Sequence, residues 1–154
     1  MFKRKMILEY DASQYNRKQY RLLRNEIKNN NIDEEFLRRV ADPKNSESKM
    51  LNLFVVYKLY RLTPDMMEYL FNLDESMVFT AVYIARAFTH GITADEITKL
   101  LYDRMKSPNE ACMSINVYIK QHSRGLDKTL LRYATFNEED IDSVVEGEVV
   151  KYED

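Results

Sequence analysis

The sequence predicts an all-α protein, and three observations lead to this. The 154 residues include only three glycines and three prolines, too few for the many tight turns of an all-β sandwich. The stretch 77–89, MVFTAVYIARAFT, has one charged residue, Arg86, and its apolar residues spread around most of a helical wheel. Helix-start patterns recur at near-regular intervals. We therefore predict a stack of short and long helical hairpins, an α-solenoid-like bundle, around a buried central helix at 77–89.

Length and cysteine usage set the outer bounds. A chain of this length fits a single domain, 1–154, with a sizeable core. Cys112 is the only cysteine, which suits a reducing compartment. The N-terminal MFKRKMILEY lacks the apolar segment of a secretory signal, and the apolar stretch 77–89 is shorter than the roughly 20 residues that span a bilayer. We expect a cytoplasmic protein without a membrane partner.

The first predicted helix starts after Asp11, a good N-cap, and ends near Asn29 in an asparagine run that tolerates a left-handed exit. The segment 10–31 is predicted to cap the stack. Apolar residues such as Leu23 and Ile27 fall on one side of its wheel, and cations fall on another, spaced so that they form one basic stripe. The residues of the basic stripe are Arg17, Lys18, Arg21, Arg24 and Lys28.

The rest of the chain contains an internal repeat of helix starts. In each copy an apolar residue precedes a capping residue, and a second apolar residue follows five positions after the first, which is the hydrophobic staple. The copies are Ile32-Asp33 with Leu37, Leu62-Thr63 with Met67, Ile92-Thr93 with Ile97, and Leu126-Asp127 with Leu131. Predicted helix exits precede them at Asn31, Arg61, Gly91 and Gly125.

Each copy is predicted to start a second, longer helix. The starts are Asp42-Pro43, Leu73-Asp74 with Val78, Ser107-Pro108, and Phe136-Asn137 with Ile141. The helical-hairpin units are therefore 32–61, 62–91, 92–125 and 126–146, followed by an acidic tail at 147–154 that is expected to fray. A unit of this size cannot bury its apolar faces alone, so stacking is expected to bury them.

These patterns resemble uncharacterised helical-repeat proteins of gut Firmicutes and their mobile elements. The resemblance lies in YDASQYNRKQYRLLRNEIKNNNIDEEFL and in the recurring NNNID, HGITADEI and RGLDKTLL, within residues 10 to 131. It implies a helical-repeat fold and an origin in a bacterial or mobile-element system. It assigns no functional residue.

The sequence offers little catalytic chemistry. His90 and His122 fall near the ends of long helices, where cationic residues are ordinary, and neither belongs to a metal-ligand motif. Cys112 and His122 lie ten residues apart on one predicted helix, about 15 Å at the helical rise, too far for a nucleophile and its base. No glycine-rich phosphate loop is present. We expect no enzyme activity, no metal and no cofactor.

Charge and aromatic content leave two function classes open. Residues 1–61 carry 14 Lys and Arg against 8 Asp and Glu, whereas 126–154 carry 3 against 9. The two ends could simply attract each other, or the basic stripe could follow a phosphate backbone. Eleven tyrosines favour a protein partner, although those on predicted helices are expected to pack between hairpins, namely Tyr57, Tyr60, Tyr69, Tyr83, Tyr102 and Tyr118.

The preferred hypothesis is a non-enzymatic protein-interaction module, an adaptor or inhibitor of another protein from a mobile element or phage. The alternative is a small nucleic-acid-binding regulator that uses the basic stripe.

Overall fold

The computed structural model of the protein describes residues 12–102 and 107–122. This part of the chain forms seven α-helices, two 3-10 helices and no β-strand, so the all-α prediction is confirmed. The α-helices are α1 (Arg17–Asn29), α2 (Glu34–Val40), α3 (Glu47–Leu59), α4 (Pro64–Phe71), α5 (Ala81–Thr89), α6 (Ala94–Tyr102) and α7 (Pro108–His122). The 3-10 helices are Ala12–Gln14 and Glu75–Thr80.

A short helix precedes a longer one at 32–61, at 62–91 and in the described part of 92–125, and the division into helical-hairpin units stays a prediction. The unit 126–146, its staple and the tail 147–154 lie outside the described residues. The chain clusters into two compact units, Met1–Phe54 and Val55–Asp154, with the division inside α3. Solenoid stacking and the single-domain organisation stay predictions.

The start of the first helix differs from the prediction. A 3-10 helix, Ala12–Gln14, follows Asp11, and α1 begins only at Arg17. Asn16 is the N-cap, because its side chain accepts from the Gln19 backbone N–H while the Gln19 side chain accepts from the Asn16 backbone N–H, both at 2.8 Å. This reciprocal capping box satisfies two otherwise orphan donors, and it sets the start of α1 five residues later than expected.

The end of α1 at Asn29 is confirmed, but the left-handed exit is wrong. Asn30 has an extended backbone, with φ −134°. Its backbone N–H donates to the carbonyl of Glu26 at 3.0 Å, and its side-chain Nδ2 donates to Glu26 Oε1 at 3.0 Å. The polar Asn30 side chain therefore closes the helix without positive φ.

The first compact unit is organised by a buried glutamine of α1. Gln19 is 5% exposed, and its Nε2 donates to the backbone carbonyls of Pro43 at 3.2 Å and Asn45 at 2.6 Å. Tyr15 donates its hydroxyl to the carbonyl of Ala41 at 2.5 Å. Buried carbonyls need such partners, so the loop after α2 is tied to the N-terminal end of α1.

The same loop shows why Asp42-Pro43 was wrong as a helix start. Asp42 accepts from the Lys44 backbone N–H with its side chain at 2.9 Å, which makes a turn. The helix begins later, at Glu47, where Ser46 Oγ accepts from the Lys49 backbone N–H at 3.0 Å. Below the loop, Phe36 and Phe54 are fully buried and meet edge to face, with ring centroids 5.8 Å apart.

In the second compact unit three of the predicted helix starts are confirmed, whereas Leu73-Asp74 opens a 3-10 helix and the starts at Leu126-Asp127 and Phe136-Asn137 lie outside the described residues. Thr63 caps α4 through the Met66 backbone N–H at 3.3 Å, with Pro64 at the first helical position. Thr93 and Glu96 form a capping box at α6, with backbone-to-side-chain distances of 3.0 and 3.2 Å. Ser107 accepts from the Glu110 backbone N–H at 3.2 Å, ahead of Pro108. Local side-chain chemistry alone therefore determines these three starts.

Glycine ends the long helix of this unit as predicted. Gly91 has φ 80°, a value that costs a residue with a Cβ atom considerably more. The N–H of Ile92 donates to the carbonyl of Ala87 at 3.1 Å, and that of Gly91 donates to Phe88 at 3.0 Å. This is the Schellman arrangement, which satisfies carbonyls at the end of α5.

The stretch 77–89 is buried, as predicted, and only Phe79 and Phe88 in it are half-exposed. Its first residues belong to the 3-10 helix Glu75–Thr80 rather than to an α-helix. The α-helical part, α5, contacts α4, α6 and α7. Arg86, its one charged residue, is 4% exposed and donates from Nη1 to Asn116 Oδ1 of α7 at 2.8 Å. The stretch is thus the central element of the second unit.

Burial of α5 predicts a sharp contrast between two valines. Val82→Asp places a carboxylate at a site that is 2% exposed, and this should lower the free energy of unfolding by several kcal/mol, because an unpaired charge loses its hydration there. Val117→Asp makes the same chemical change at a site that is 52% exposed and should cost about 0.5 kcal/mol or less. Urea unfolding followed by circular dichroism measures both. Equal stabilities of the two variants would contradict the central position of α5.

Candidate functional site

The basic stripe lies on the exposed side of α1. Arg17, Lys18, Arg21, Arg24 and Lys28 are all exposed. Leu23 and Ile27 of the same helix are 0% and 8% exposed, so the apolar side faces the core. Burial of that side leaves the cations in solvent. Arg17, Arg21, Arg24 and Lys28, spaced four, three and four residues apart, therefore share one exposed side of α1, and Lys18 lies beside them.

A tyrosine interrupts the stripe. Tyr20 is 36% exposed, and with Arg17, Arg21 and Arg24 it lines a depression of about 380 Å³. Among residues 12–102 and 107–122, the side chains of the basic stripe have no ion-pair or hydrogen-bond partner. A planar ring among guanidinium groups suits a base next to phosphates.

A larger feature of the second unit was not predicted as a site. A groove of about 720 Å³ lies between α4 and α6. We call it the aromatic groove, because three rings line it, from Tyr69 of α4, Phe88 of α5 and Tyr102 of α6. Its volume is in the range of sites that hold small molecules or side chains of a partner.

The rings of the aromatic groove are held in position by neighbours. Tyr69 and Phe88 meet edge to face, with centroids 5.7 Å apart and planes at 74°. The hydroxyls of Tyr69 and Thr98 are hydrogen-bonded at 2.8 Å, which joins α4 to α6. Because edge-to-face pairs and hydrogen bonds both fix ring orientation, two walls of the groove are preformed at nearly right angles.

In the part of the chain that the structure describes, the charged residues that line the aromatic groove are acidic. Asp65 and Glu68 lie three positions apart on α4, so they share one face of that helix. Asn72 Nδ2 donates to Glu68 Oε2 at 3.0 Å, which orients that carboxylate. Asp65 is exposed and has no side-chain partner among the described residues. The groove thus combines aromatic surface with negative charge.

The environment of the groove keeps its phenols protonated. Burial raises the pKa of Tyr69 above its ordinary value, the hydrogen bond with Thr98 acts in the opposite direction, and ionisation of Tyr102 in alkali raises the pKa further. Burial and then the negative charge of Asp74 raise the pKa of Tyr102. Both rings therefore stay neutral at physiological pH, and among the described residues that line the groove only the two carboxylates carry a formal charge.

A third exposed surface lies on α7. Met113 is 69% exposed and Val117 is 52% exposed, and with Leu100 of α6 they line a shallow depression of about 360 Å³. The two side chains are one turn apart and form a small apolar strip. It lies beside Tyr118, which stacks on His122 with ring centroids 4.3 Å apart.

The remaining candidate residues do not assemble into a reaction centre. Helix α7 runs unbroken through Cys112 and His122, so about 15 Å separates them along the helix axis. Cys112 is buried, as expected for a core residue, and His90 is the buried C-cap of α5. In the described ranges no three His, Cys, Asp or Glu residues are grouped so as to hold a metal ion.

Sequence reasoning missed the aromatic groove because it treated its tyrosines as core. That expectation is confirmed for Tyr57, Tyr60 and Tyr83, which are at most 5% exposed, but Tyr102 is 43% exposed. The available signal was that Tyr69 and Tyr102 fall on consecutive short helices, beside rather than within the apolar stripes. Only the packing of α4 against α6 turns this into a shared surface.

Comparisons with known proteins found no matching family model, no matching curated protein and no matching solved structure. In the part of the chain that the structure describes, no helix has the length and apolar character needed to cross a membrane.

The raised pKa of Tyr69 predicts how stability changes in alkali. The unfolded chain loses this proton near pH 10, before the folded protein does. The free energy of unfolding should therefore fall as the pH rises from about 10 through the folded pKa, and less so in Tyr69→Phe. Unfolding in urea at about pH 9 and pH 11 measures the difference. Thr98→Val removes the hydrogen bond that lowers the Tyr69 pKa, so this pKa should rise further. It is measured as the part of the tyrosinate absorbance change that Tyr69→Phe removes, and a lowered pKa would contradict the assigned causes.

Proposed function

We propose that this chain is a non-enzymatic protein-interaction module, which binds a segment of another protein in the aromatic groove. One observation carries the proposal: the second compact unit presents a preformed, ring-lined groove of about 720 Å³.

The composition of the groove supports a protein partner. Tyrosine and phenylalanine are enriched in the cores of protein interfaces, where a few buried aromatic contacts supply most of the binding energy. Tyr102 is 43% exposed, so a large apolar area is open to a partner. Tyrosine tolerates that exposure before binding because its hydroxyl stays hydrated.

The fixed geometry of the groove supports the same proposal. The contact of Tyr69 with Phe88 and its hydrogen bond with Thr98 hold the ring before any ligand arrives. A preformed site loses less conformational entropy on binding than a mobile one. A segment of a partner could therefore bind without rearrangement of α4 or α6.

The biological setting forms part of this proposal. An adaptor brings two proteins together, and an inhibitor covers the working surface of one; either role requires only a stable surface of defined chemistry. The single buried cysteine, Cys112, suits a reducing compartment such as the cytoplasm.

A second candidate function is nucleic-acid binding through the basic stripe. Its supporting observation is that three exposed cations, Arg17, Arg21 and Arg24, line one depression on α1 with the exposed ring of Tyr20. Phosphate contacts and base stacking need those two side-chain types. An exposed cationic helix face is also common on proteins that bind no nucleic acid, so the aromatic groove remains the preferred site.

The groove proposal predicts a position-specific loss of binding. Peptides selected from a random library on the immobilised protein should perturb the backbone NMR signals of α4 and α6. Ala94 is exposed and lines the groove, so Ala94→Tyr should fill it and weaken those peptides at least about tenfold, a loss of roughly 1.4 kcal/mol. Affinity is measured by fluorescence anisotropy.

The matched control is Asn109→Tyr, which adds the same side chain to the exposed first turn of α7, outside the groove. It should leave the affinity unchanged. Peptides that bind the Ala94→Tyr protein as tightly as the unaltered one, or that shift only signals outside the groove, would rule out this function for it.

The alternative function makes a separate prediction about salt. If three residues of the stripe each neutralise a phosphate, affinity for duplex DNA should fall about 40-fold between 50 and 200 mM salt. Arg17, Arg21 and Arg24 changed together to Glu should abolish binding. The control changes three exposed cations elsewhere to Glu, namely Lys44, Arg61 and Lys99, with the same change in net charge. Equal losses in both triple variants would exclude a specific role for the stripe.

A further inference from the structure

We propose that the aromatic groove binds an arginine side chain of the partner segment, held between the groove's rings and its two carboxylates. This inference rests on the proposed function and names the chemistry of the group that the groove recognises.

The first step is electrostatic. Among the described residues that line the groove, Asp65 and Glu68 carry charge and none is cationic. Asp74 lies close enough to Tyr102 for its charge to raise the pKa of that phenol, so the negative field extends to the α6 side. A cation that enters this space meets attraction from both walls.

The second step concerns the rings. The π faces of aromatic rings attract cations, and the attraction increases when the cation is shielded from water. The ring planes of Tyr69 and Phe88 are at 74° to each other, so the π faces of the two rings point in different directions. With Tyr102 on the opposite wall, a flat cation can stack on one ring while the others exclude water.

The third step selects arginine over lysine. A guanidinium group is planar, stacks on aromatic faces and donates two parallel hydrogen bonds to a carboxylate, whereas an ammonium group is compact and strongly hydrated. Asp65 has an exposed carboxylate with no side-chain partner among the described residues, and Asn72 holds that of Glu68 in place. The groove thus matches the two features in which arginine differs from lysine.

The fourth step is size. A volume of about 720 Å³ exceeds what one side chain fills, so the groove takes a short segment with an arginine at its centre. The apolar neighbours of that arginine would cover Ala94, which is exposed and also lines the groove.

The experiment uses the random-library peptides that bind the full-length protein. Groove-binding peptides should be enriched in arginine, and replacement of each arginine by citrulline, which has nearly the same shape without the charge, should weaken binding more than about tenfold. The double variant Asp65→Asn, Glu68→Gln should weaken the arginine peptides about fivefold and leave the citrulline peptides unchanged.

The control variant is Glu35→Gln, Glu47→Gln, which removes the same charge from two acidic residues that do not line the groove. It should retain full affinity, because neither of its two carboxylates lines the groove. Equal losses in both double variants would instead indicate general attraction between an acidic protein and a basic peptide, and would contradict the arginine assignment. Citrulline peptides that bind the groove as tightly as their arginine counterparts would overturn the arginine assignment and leave the interaction function standing. Peptides that are insensitive to Ala94→Tyr would overturn both.

Discussion

The burial of α5 is the constraint on which the second compact unit depends. This helix contacts α4, α6 and α7, so its side chains must fill space on several sides at once, and Val82 and Ile84 are at most 2% exposed. Because a close-packed interior leaves few voids, the position of α5 fixes the positions of the side chains that pack against it. Phe88, near the end of α5, is thereby placed against Tyr69 of α4. The aromatic groove exists because a buried helix fixes the ring that its two neighbours share.

Polar groups inside the apolar interior are used as connections between elements. Gln19 joins α1 to the loop after α2, and Arg86 joins α5 to α7 through Asn116. Thr80 and Thr89 donate their hydroxyls to carbonyls three residues earlier, each at 2.6 Å. A buried donor without an acceptor costs about 1 to 3 kcal/mol, so each of these bonds disfavours arrangements in which its partner lies elsewhere.

The two candidate surfaces have opposite charge and opposite needs. The basic stripe is a row of exposed cations on one helix, and an anionic partner would bind it mainly through counterion release, with little demand on shape. The aromatic groove is lined by rings from three helices and by two carboxylates, so the arginine proposed for it would have to match its shape as well as its charge. The net charge of −2 for the whole chain reveals neither surface, because a binding partner responds to the local charge of the surface it contacts and not to the sum over the chain.

The sequence by itself determined the starts of α4, α6 and α7 and the identity of the buried stretch. Helix caps act within one turn of chain, as they do at Thr63 with Pro64, at Thr93 with Glu96 and at Gly91. A helix that is apolar on most sides must be buried, whichever other helices cover it. The start of α1 was predicted wrongly because the sequence offers two N-cap candidates, Asp11 and Asn16. Only the formed capping box between Asn16 and Gln19 shows that Asn16 is the N-cap. The aromatic groove was decided by tertiary structure. Tyr69, Phe88 and Tyr102 come from three different helices, and local pattern carries no information about which helix packs against which.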